Sequence, residues 1–214
     1  MYSGGGKLAL KILLYNKRDR LFDICALVDD NPDIEKEILG VPVFTFDECI
    51  KRFNPSEYKM FVAIGYTHCN TIREKVYNKV KAAGYKLANY ISSKADVWEG
   101  TLCGDNIFVG DNCFIGHGCR LNDGCIIYEN TTLCHDNEVG IFSFFSAEVA
   151  VGGDATIGSH CFLGLNSTIK SDVKVADYNI VGCSSNVIHS TPEKAVLVGN
   201  PAVAQVRDML NVQI

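Results

Sequence analysis

From Val97 to Val187 every sixth residue is apolar, sixteen positions without a break, beginning Val97, Cys103, Val109, Ile115 and ending Val175, Val181, Val187. With 47% of the chain hydrophobic, such a run in any of six phases arises by chance on the order of a few times in 100,000, so it is an internal repeat. Four residues after most apolar positions stands a small one, as at Cys113, Cys119, Cys125, Ser143, Ala155, Cys161 and Ser167. The residue directly after the apolar one is often glycine, as at Gly116, Gly140, Gly152, Gly158 and Gly164. A period of six is neither helical nor strand-alternating. It suits short strands joined by tight turns, with the large apolar side chain inward and the small one at the bend.

Upstream the pattern changes. Tyr2 to Leu14 reads as a glycine turn running into an amphipathic helix, and only Met1 to Ser3 precede Gly4, so the strand expected there is short or absent. Phe22–Val28 reads as a strand ending at Asp29 and Asp30, Thr45–Phe53 as a helix, and Tyr58–Ile64 as a strand ending at Gly65 and Tyr66. A helix over Asn70–Ala82 and a strand over Lys86–Ile91 follow. Alternating strands and helices predict a small, parallel, Rossmann-like α/β sheet whose ligand site lies at the carboxyl edge of the strands. That edge holds Gly4, Gly5, Gly6, Asp29, Asp30, Gly65 and Tyr66.

Charge divides at the same place as texture. Residues 1–94 carry 15 Lys and Arg against 11 Asp and Glu, a net of +4, whereas residues 95–214 carry 5 against 14, a net of −9. We therefore expect an α/β domain over 1–91, an all-β domain over 92–190 and a tail over 191–214. An acidic second half without a basic stripe excludes a nucleic-acid footprint, and no apolar run is long enough for a membrane helix. No signal-peptide pattern opens the chain. Of the ten cysteines, Cys113, Cys119, Cys125 and Cys161 fall at the small-residue bend and Cys103 at an inward position, and none in the repeat stands three hexads from another. A cytoplasmic protein with reduced thiols is expected.

The hexads resemble those of the hexapeptide-repeat acyltransferases, which form a left-handed parallel β-helix with three hexads per coil. Fifteen hexads imply about five coils. Positions three hexads apart then lie above one another at roughly 4.8 Å, the strand spacing. The glycine loop, the acidic pair and the Gly after the third strand resemble the sugar-nucleotide-binding domain of the bacterial acyltransferases grouped with sialic acid O-acetyltransferase and bacillosamine N-acetyltransferase. The resemblance implies that Gly4, Gly5, Gly6, Asp29, Asp30, Gly65 and Tyr66 hold a nucleotide-linked sugar, and that acetyl-CoA is the acyl donor. Lys7 replaces the histidine frequent in that loop and is a candidate phosphate contact.

His135 follows the inward Leu133 by two residues and so points outward, with Asp136 beside it. One coil on, Gly153 offers a bare backbone N–H. A base and a backbone donor one strand spacing apart can flank a thioester carbonyl. His followed by Asp, and by Gly one coil later, also resembles the family's active site, which implies that His135 is the base and that Asp136 supports it. The acyl donor would meet Gly153, Phe144, Leu165 and Cys183; relatives often carry a second histidine where this chain has Phe144. His117 lies directly beneath His135 and reads as a stacked surface residue or a substrate contact. A zinc site of the β-helical carbonic anhydrase kind needs a third histidine where this chain has Gly140 and Asn122, so no metal is expected. Val198 to Ala202 resembles the stop after the last coil. The outward Phe142 and Phe144 are too apolar for water and point to a homotrimer, and relatives place the site between subunits. The expected activity is N-acetylation of an amino deoxysugar in surface-glycan synthesis. Sugar O-acetylation and a non-catalytic, sugar-nucleotide-binding β-helix are the alternatives.

Overall fold

The structure is a computed structural model that describes residues 6–199. The repeat folds as a left-handed parallel β-helix of two-residue strands on three faces. Face one has seven strands, from Tyr90–Ile91 through Phe108–Val109, Ile126–Ile127, Phe144–Phe145, Phe162–Leu163 and Ile180–Val181 to Val196–Leu197. Face two has six, from Asp96–Val97 to Asn186–Val187, and face three has four, from Arg120–Leu121 to Lys174–Val175, extended by a bridge between Leu102 and Leu121. Register advances by three hexads, as in Leu133 beside Val151 and Val139 beside Ile157. Residues 196 and 197, expected in the tail, add a rung beside Ile180 and Val181.

Three features of the hexad build the coil. The inward residues Val109, Ile115, Leu121, Ile127 and Leu133 are wholly buried in one continuous core, each aliphatic side chain stabilising by about 1.5–3 kcal/mol relative to exposure. The small residue at the bend is buried too, and its hydroxyl or thiol donates to a carbonyl of the next coil: Ser143 Oγ to Gly158 O at 2.7 Å, Cys113 Sγ to Tyr128 O at 3.1 Å and Cys161 Sγ to Ala176 O at 3.1 Å. Burial pushes the Cys113 and Cys161 thiols up to about 11, and all ten cysteines are free. From Asn106 to Ser184 the third residue after nearly every inward one has a positive φ, which Asn, Asp and Gly tolerate best.

Ahead of the coils lie helices α1 (Lys7–Asp19), α2 (Phe46–Arg52) and α3 (Thr71–Ala82) and strands β1 (Leu27–Val28), β2 (Glu37–Ile38), β3 (Val41–Phe44), β4 (Lys59–Met60) and β5 (Lys86–Leu87). α1 buries Leu8, Ala9, Ile12 and Leu13, the i, i+4 face that its sequence predicts. α2 starts with a capping box in which Thr45 Oγ1 accepts from Glu48 N–H and Glu48 accepts from Thr45 N–H. β1 and β3 pair in parallel, β2 joins β3 antiparallel, and β4 pairs with β5 in a second parallel pair. The β2–β3 hairpin departs from the expected order. Its turn, Leu39–Gly40, has positive φ at both residues (51° and 83°), the geometry usually marked by Asn-Gly. The strand expected over 86–91 divides: β5 stays with β4, while β6 (Tyr90–Ile91) pairs with Phe108–Val109 as the first rung of face one.

The first domain rides on face one. Outward Phe108, Ile126 and Phe144 pack against Leu8, Ala9, Ile12, Phe61 and Ala63, and Phe142 packs edge-on to Tyr77 at 5.1 Å. Phe142 and Phe144 are therefore 3% and 1% exposed within a single chain. This corrects the expectation that a neighbouring subunit covers them; α1 and α3 do so. At the centre of the contact is Arg73, fully buried with no carboxylate partner among the described residues. It donates to Gly65 O (2.7 Å), Asn70 Oδ1 (2.9 Å), Gly124 O (3.1 Å) and Phe142 O (2.7 Å). Burial lowers its guanidinium to about 9, a cost the four acceptors offset. Among the described residues no helix is long and apolar enough to cross a membrane.

At the other side of the contact Arg18 bridges Asp111 (2.6 Å) and Asp19 (2.6 Å). Its hydrogen bonds hold both carboxyls below the usual carboxylate range. Because the folded values lie below the unfolded one, near 3.8, their contribution is complete above that value and is lost as the pH falls through the folded values. Thermal unfolding followed by circular dichroism is expected to show a drop in Tm between about pH 5 and about pH 2 that is shallower in Arg18→Ala.

Candidate active site

His135 and Asp136 occupy the corner where the strand Thr132–Leu133 of face two turns into Glu138–Val139 of face three. Leu133 points inward, so His135 points out, and Asp136 adopts the left-handed conformation (φ 55°) that the hexads repeat at this position. His135 Nδ1 lies 3.0 Å from Asp136 Oδ2 and 3.7 Å from Asp154 Oδ2. An ionised carboxylate only accepts, so Nδ1 carries the proton and Nε2 of the neutral ring keeps its lone pair. All three side chains are about half exposed.

Two glycines make room for this pair. A β-carbon at Gly153 would run into Nε2 and Cε1 of His135, and one at Gly118 would run into the Asp136 carboxylate. The Gly153 N–H donates to no described residue. Below, the His117 ring stacks on His135 with centroids 5.6 Å apart, and Trp98 meets His117 edge-on at 5.7 Å. Ligand atoms of His135, Asp136 and Asp154 lie within 4.8 Å of one another. For a cation they offer two carboxylates, while the imidazole nitrogen that faces them is already a donor to Asp136.

The remaining candidate residues fall elsewhere. Leu165 and Cys183 are stacked and exposed at the corner between faces one and two, where Ser184 N–H donates to Leu165 O at 2.8 Å. Phe144 lies buried in the middle of face one, under the first domain. Of the four residues expected to meet the acyl donor, one chain brings only Gly153 to His135.

Gly4 and Gly5 lie outside the described residues, as do Asn200 to Ala202 of the expected stop. Gly6 is the N-cap of α1, with no side-chain cap and no acidic residue in the first turn. Asp29 is buried and its Oδ1 accepts from Asn31 N–H at 3.0 Å. Asp30 accepts from Phe46 N–H at 2.8 Å, at the start of α2, and pairs with Lys79 at 3.0 Å. Tyr66 is 54% exposed and rests on Phe144 and Phe162 at 5.0 and 4.8 Å. Gly6, Asp29, Asp30, Gly65 and Tyr66 thus sit where β1 and the β4 segment end and α1 begins. A cavity of about 400 Å³ lined by Phe22, Ile24, Cys25, Met60 and Tyr90 lies toward the opposite ends of those strands. It is far from this chemistry.

Sequence reasoning passed over Asp154, although the coil-to-coil ruler that selected Gly153 above His135 equally places Asp154 above Asp136. It also passed over the clamp on the Tyr66 loop, where His68, Cys69 and Asn70 are consecutive left-handed residues. Asn70 Nδ2 donates to Cys161 O (3.1 Å), His160 Nδ1 to Cys69 O (3.2 Å) and Arg73 to Gly65 O. No local signal marks that three-residue turn, because Cys161 and His160, which hold it, belong to the other domain.

An α/β domain with a glycine-led helix, packed on a parallel β-helix that carries an outward His-Asp pair, is the architecture expected from the resemblance to the hexapeptide-repeat acyltransferases. Residues 2–80 match the PglD N-terminal domain family. The acetyltransferase domain of PglB from Neisseria gonorrhoeae FA1090, solved with acetyl coenzyme A, shares the fold with a TM-score of 0.83 at 21% identity, covering 95% of this chain and 97% of that one. A His-to-Asn variant of perosamine N-acetyltransferase from Caulobacter crescentus, solved with CoA and GDP-perosamine, matches with a TM-score of 0.76 at 25% identity over 96% of each chain. A stretch of 44 residues is 39% identical to the bifunctional protein GlmU of Latilactobacillus sakei. That match spans 21% of this chain and 10% of GlmU.

Replacing Gly153 by Ala puts a methyl group where the His135 ring lies. The ring resonances of His135 and of the stacked His117 are expected to shift together in NMR spectra while those of His160 stay in place. Stability should change by less than about 1 kcal/mol, because the methyl group meets only the far end of the half-exposed His135 side chain, which is free to swing outward.

Proposed function

We propose that this protein is an acetyl-CoA-dependent N-acetyltransferase acting on the amine of a nucleotide-linked amino deoxysugar for surface-glycan synthesis. It works in the cytoplasm as a homotrimer. The observation that carries the chemistry is the His135 Nδ1 to Asp136 contact at 3.0 Å with Nε2 turned over Gly153. The bare backbone at 153 fits a thioester carbonyl: no β-carbon stands between it and the imidazole. Asp136, with Asp154 behind it, fixes the tautomer and stabilises the imidazolium as it forms.

An ammonium has no lone pair, so the acceptor must react as the neutral amine. Its nitrogen adds to the thioester carbon, His135 Nε2 removes the proton released, and Gly153 N–H receives the negative charge on the carbonyl oxygen. When the carbon–sulfur bond breaks, His135 returns the proton to the sulfur. Amide and free thiol are the products, and the ring is again neutral.

The trimer rests on topology. Face one, which carries the acceptor edge of Gly6, Asp29, Gly65 and Tyr66, lies opposite the corner between faces two and three that carries His135. A chain cannot deliver its acceptor to its own base. Neighbouring copies around a threefold axis supply it, which replaces exposed Phe142 and Phe144 as the argument for assembly.

Acetyl-CoA turnover against a panel of nucleotide amino sugars tests the activity, and His135→Asn is expected to lower kcat by about 100-fold or more with the acetyl-CoA KM unchanged. Asp136→Asn should be milder. Co-expressing His135→Asn chains with Tyr66→Ala chains should restore turnover, since hybrid trimers pair an intact base with an intact acceptor domain. Mixed oligomers without recovered turnover would place both halves of the site in one chain.

A further inference from the structure

Resting on the reading of His135 as the base for a sugar amine, we infer that Trp98 and His117 form a stacking subsite for the acceptor's pyranose ring, on the N-terminal side of the base. Trp98, Val97's neighbour on the lowest full coil, is 51% exposed. Yet its backbone is fixed: its N–H donates to Ile115 O (3.1 Å) and its carbonyl accepts from Thr101 Oγ1 (2.8 Å). Its ring meets His117 edge-on, and His117 stacks on His135 at an interplanar angle of 16°. Three rings in a column, the lowest a half-exposed indole on a hydrogen-bonded segment just after the strand Asp96–Val97, present an apolar floor with polar edges directly below the base.

Distance selects the occupant. The reacting amine must come within about 3 Å of His135 Nε2, and the column ends about two strand spacings, or roughly 10 Å, below it. The ring that carries the amine is the pyranose itself. The acceptor's nucleobase lies beyond a diphosphate, and the adenine of CoA beyond the whole pantetheine arm, so neither fits in that span.

Direction agrees with distance. Gly153 above His135 takes the thioester, and donor and acceptor must leave the meeting point on opposite sides. Pantetheine is a flexible chain without a ring, whereas the C–H face of a deoxysugar is an apolar plane suited to an indole or imidazole face. The His117 ring nitrogens can reach a sugar hydroxyl. On this assignment His117 selects the acceptor and takes no part in proton transfer.

Trp98 is the sole tryptophan, so its fluorescence reports the subsite without a label. The probe is the methyl glycoside of a 4-amino-4,6-dideoxyhexose, which has no nucleobase and needs no turnover. It should change Trp98 emission saturably, and CoA alone should not. In kinetics Trp98→Ala is expected to raise the acceptor KM about tenfold, equal to about 1.4 kcal/mol, with the acetyl-CoA KM within about twofold, and Trp98→Phe to recover most of the loss. An unchanged acceptor KM in Trp98→Ala, an emission change with CoA but not with the glycoside, or loss of the trimer in Trp98→Ala on light scattering would each overturn the subsite. If no amino sugar is acetylated, the proposed activity fails, and the glycoside titration still decides the subsite: saturation sustains it and a flat response ends it.

Discussion

Pairing of each coil with the next, at an offset of three hexads, is the constraint on which the molecule depends. One inward aliphatic residue, one small residue and one left-handed residue per hexad satisfy it, and each has a separate physical task. The aliphatic side chain fills the core, the small one reaches a carbonyl of the next coil, and the left-handed residue closes the corner. The geometry of the candidate site follows without further design, since the step that stacks Leu133 on Val151 also sets His135 against Gly153 and Asp136 beside Asp154. Asp136 stands at a backbone position that the fold fills with Asp, Asn or Gly in most hexads.

That arithmetic is why so much of the second half was legible in the sequence. Period, inward face and stacking partners are all local counts, and they sufficed for His135, Asp136 and Gly153. Asp154 was within reach of the same counting. Phe142 and Phe144 show where counting stops: their outward direction was readable, but the partner that covers them is α1 and α3, which belong to the other domain. In the first half the helices α2 and α3 were legible as the segments Thr45–Phe53 and Asn70–Ala82 between the predicted strands. The β2–β3 hairpin did not, because a Leu-Gly turn lacks the side-chain signature that Asn-Gly provides.

The contact between the domains has a division of labour. Apolar rings on face one supply area, and polar groups at the two flanking corners supply orientation. Lys11 and Tyr15 hold Glu129 at 2.7 and 2.6 Å on one side, and Arg73 holds the Gly124 and Phe142 carbonyls on the other. Arg73 is the more consequential of these because the same guanidinium also fixes Gly65, at the carboxyl edge of the strands. A buried cation satisfied only by uncharged acceptors demands close geometry from each of them. The position of that edge relative to the coils is set by hydrogen bonds as well as by packing.

β5 and β6 are separated only by Ala88 and Asn89. Asn89 bonds both ways to the first coil, Oδ1 accepting from Ile107 N–H (2.9 Å) and Nδ2 donating to Gly104 O (3.1 Å). The crossing from one domain to the other is therefore a rung of the ladder and not a linker. Such a joint has no free dihedrals to act as a swivel. The clamshell motion by which many two-domain enzymes admit ligand and let product go is denied to this chain. Exchange at the candidate site is left to motions of side chains and short loops and, in the proposed trimer, to breathing between whole subunits, so release there would be governed by the assembly more than by any bending within one protomer.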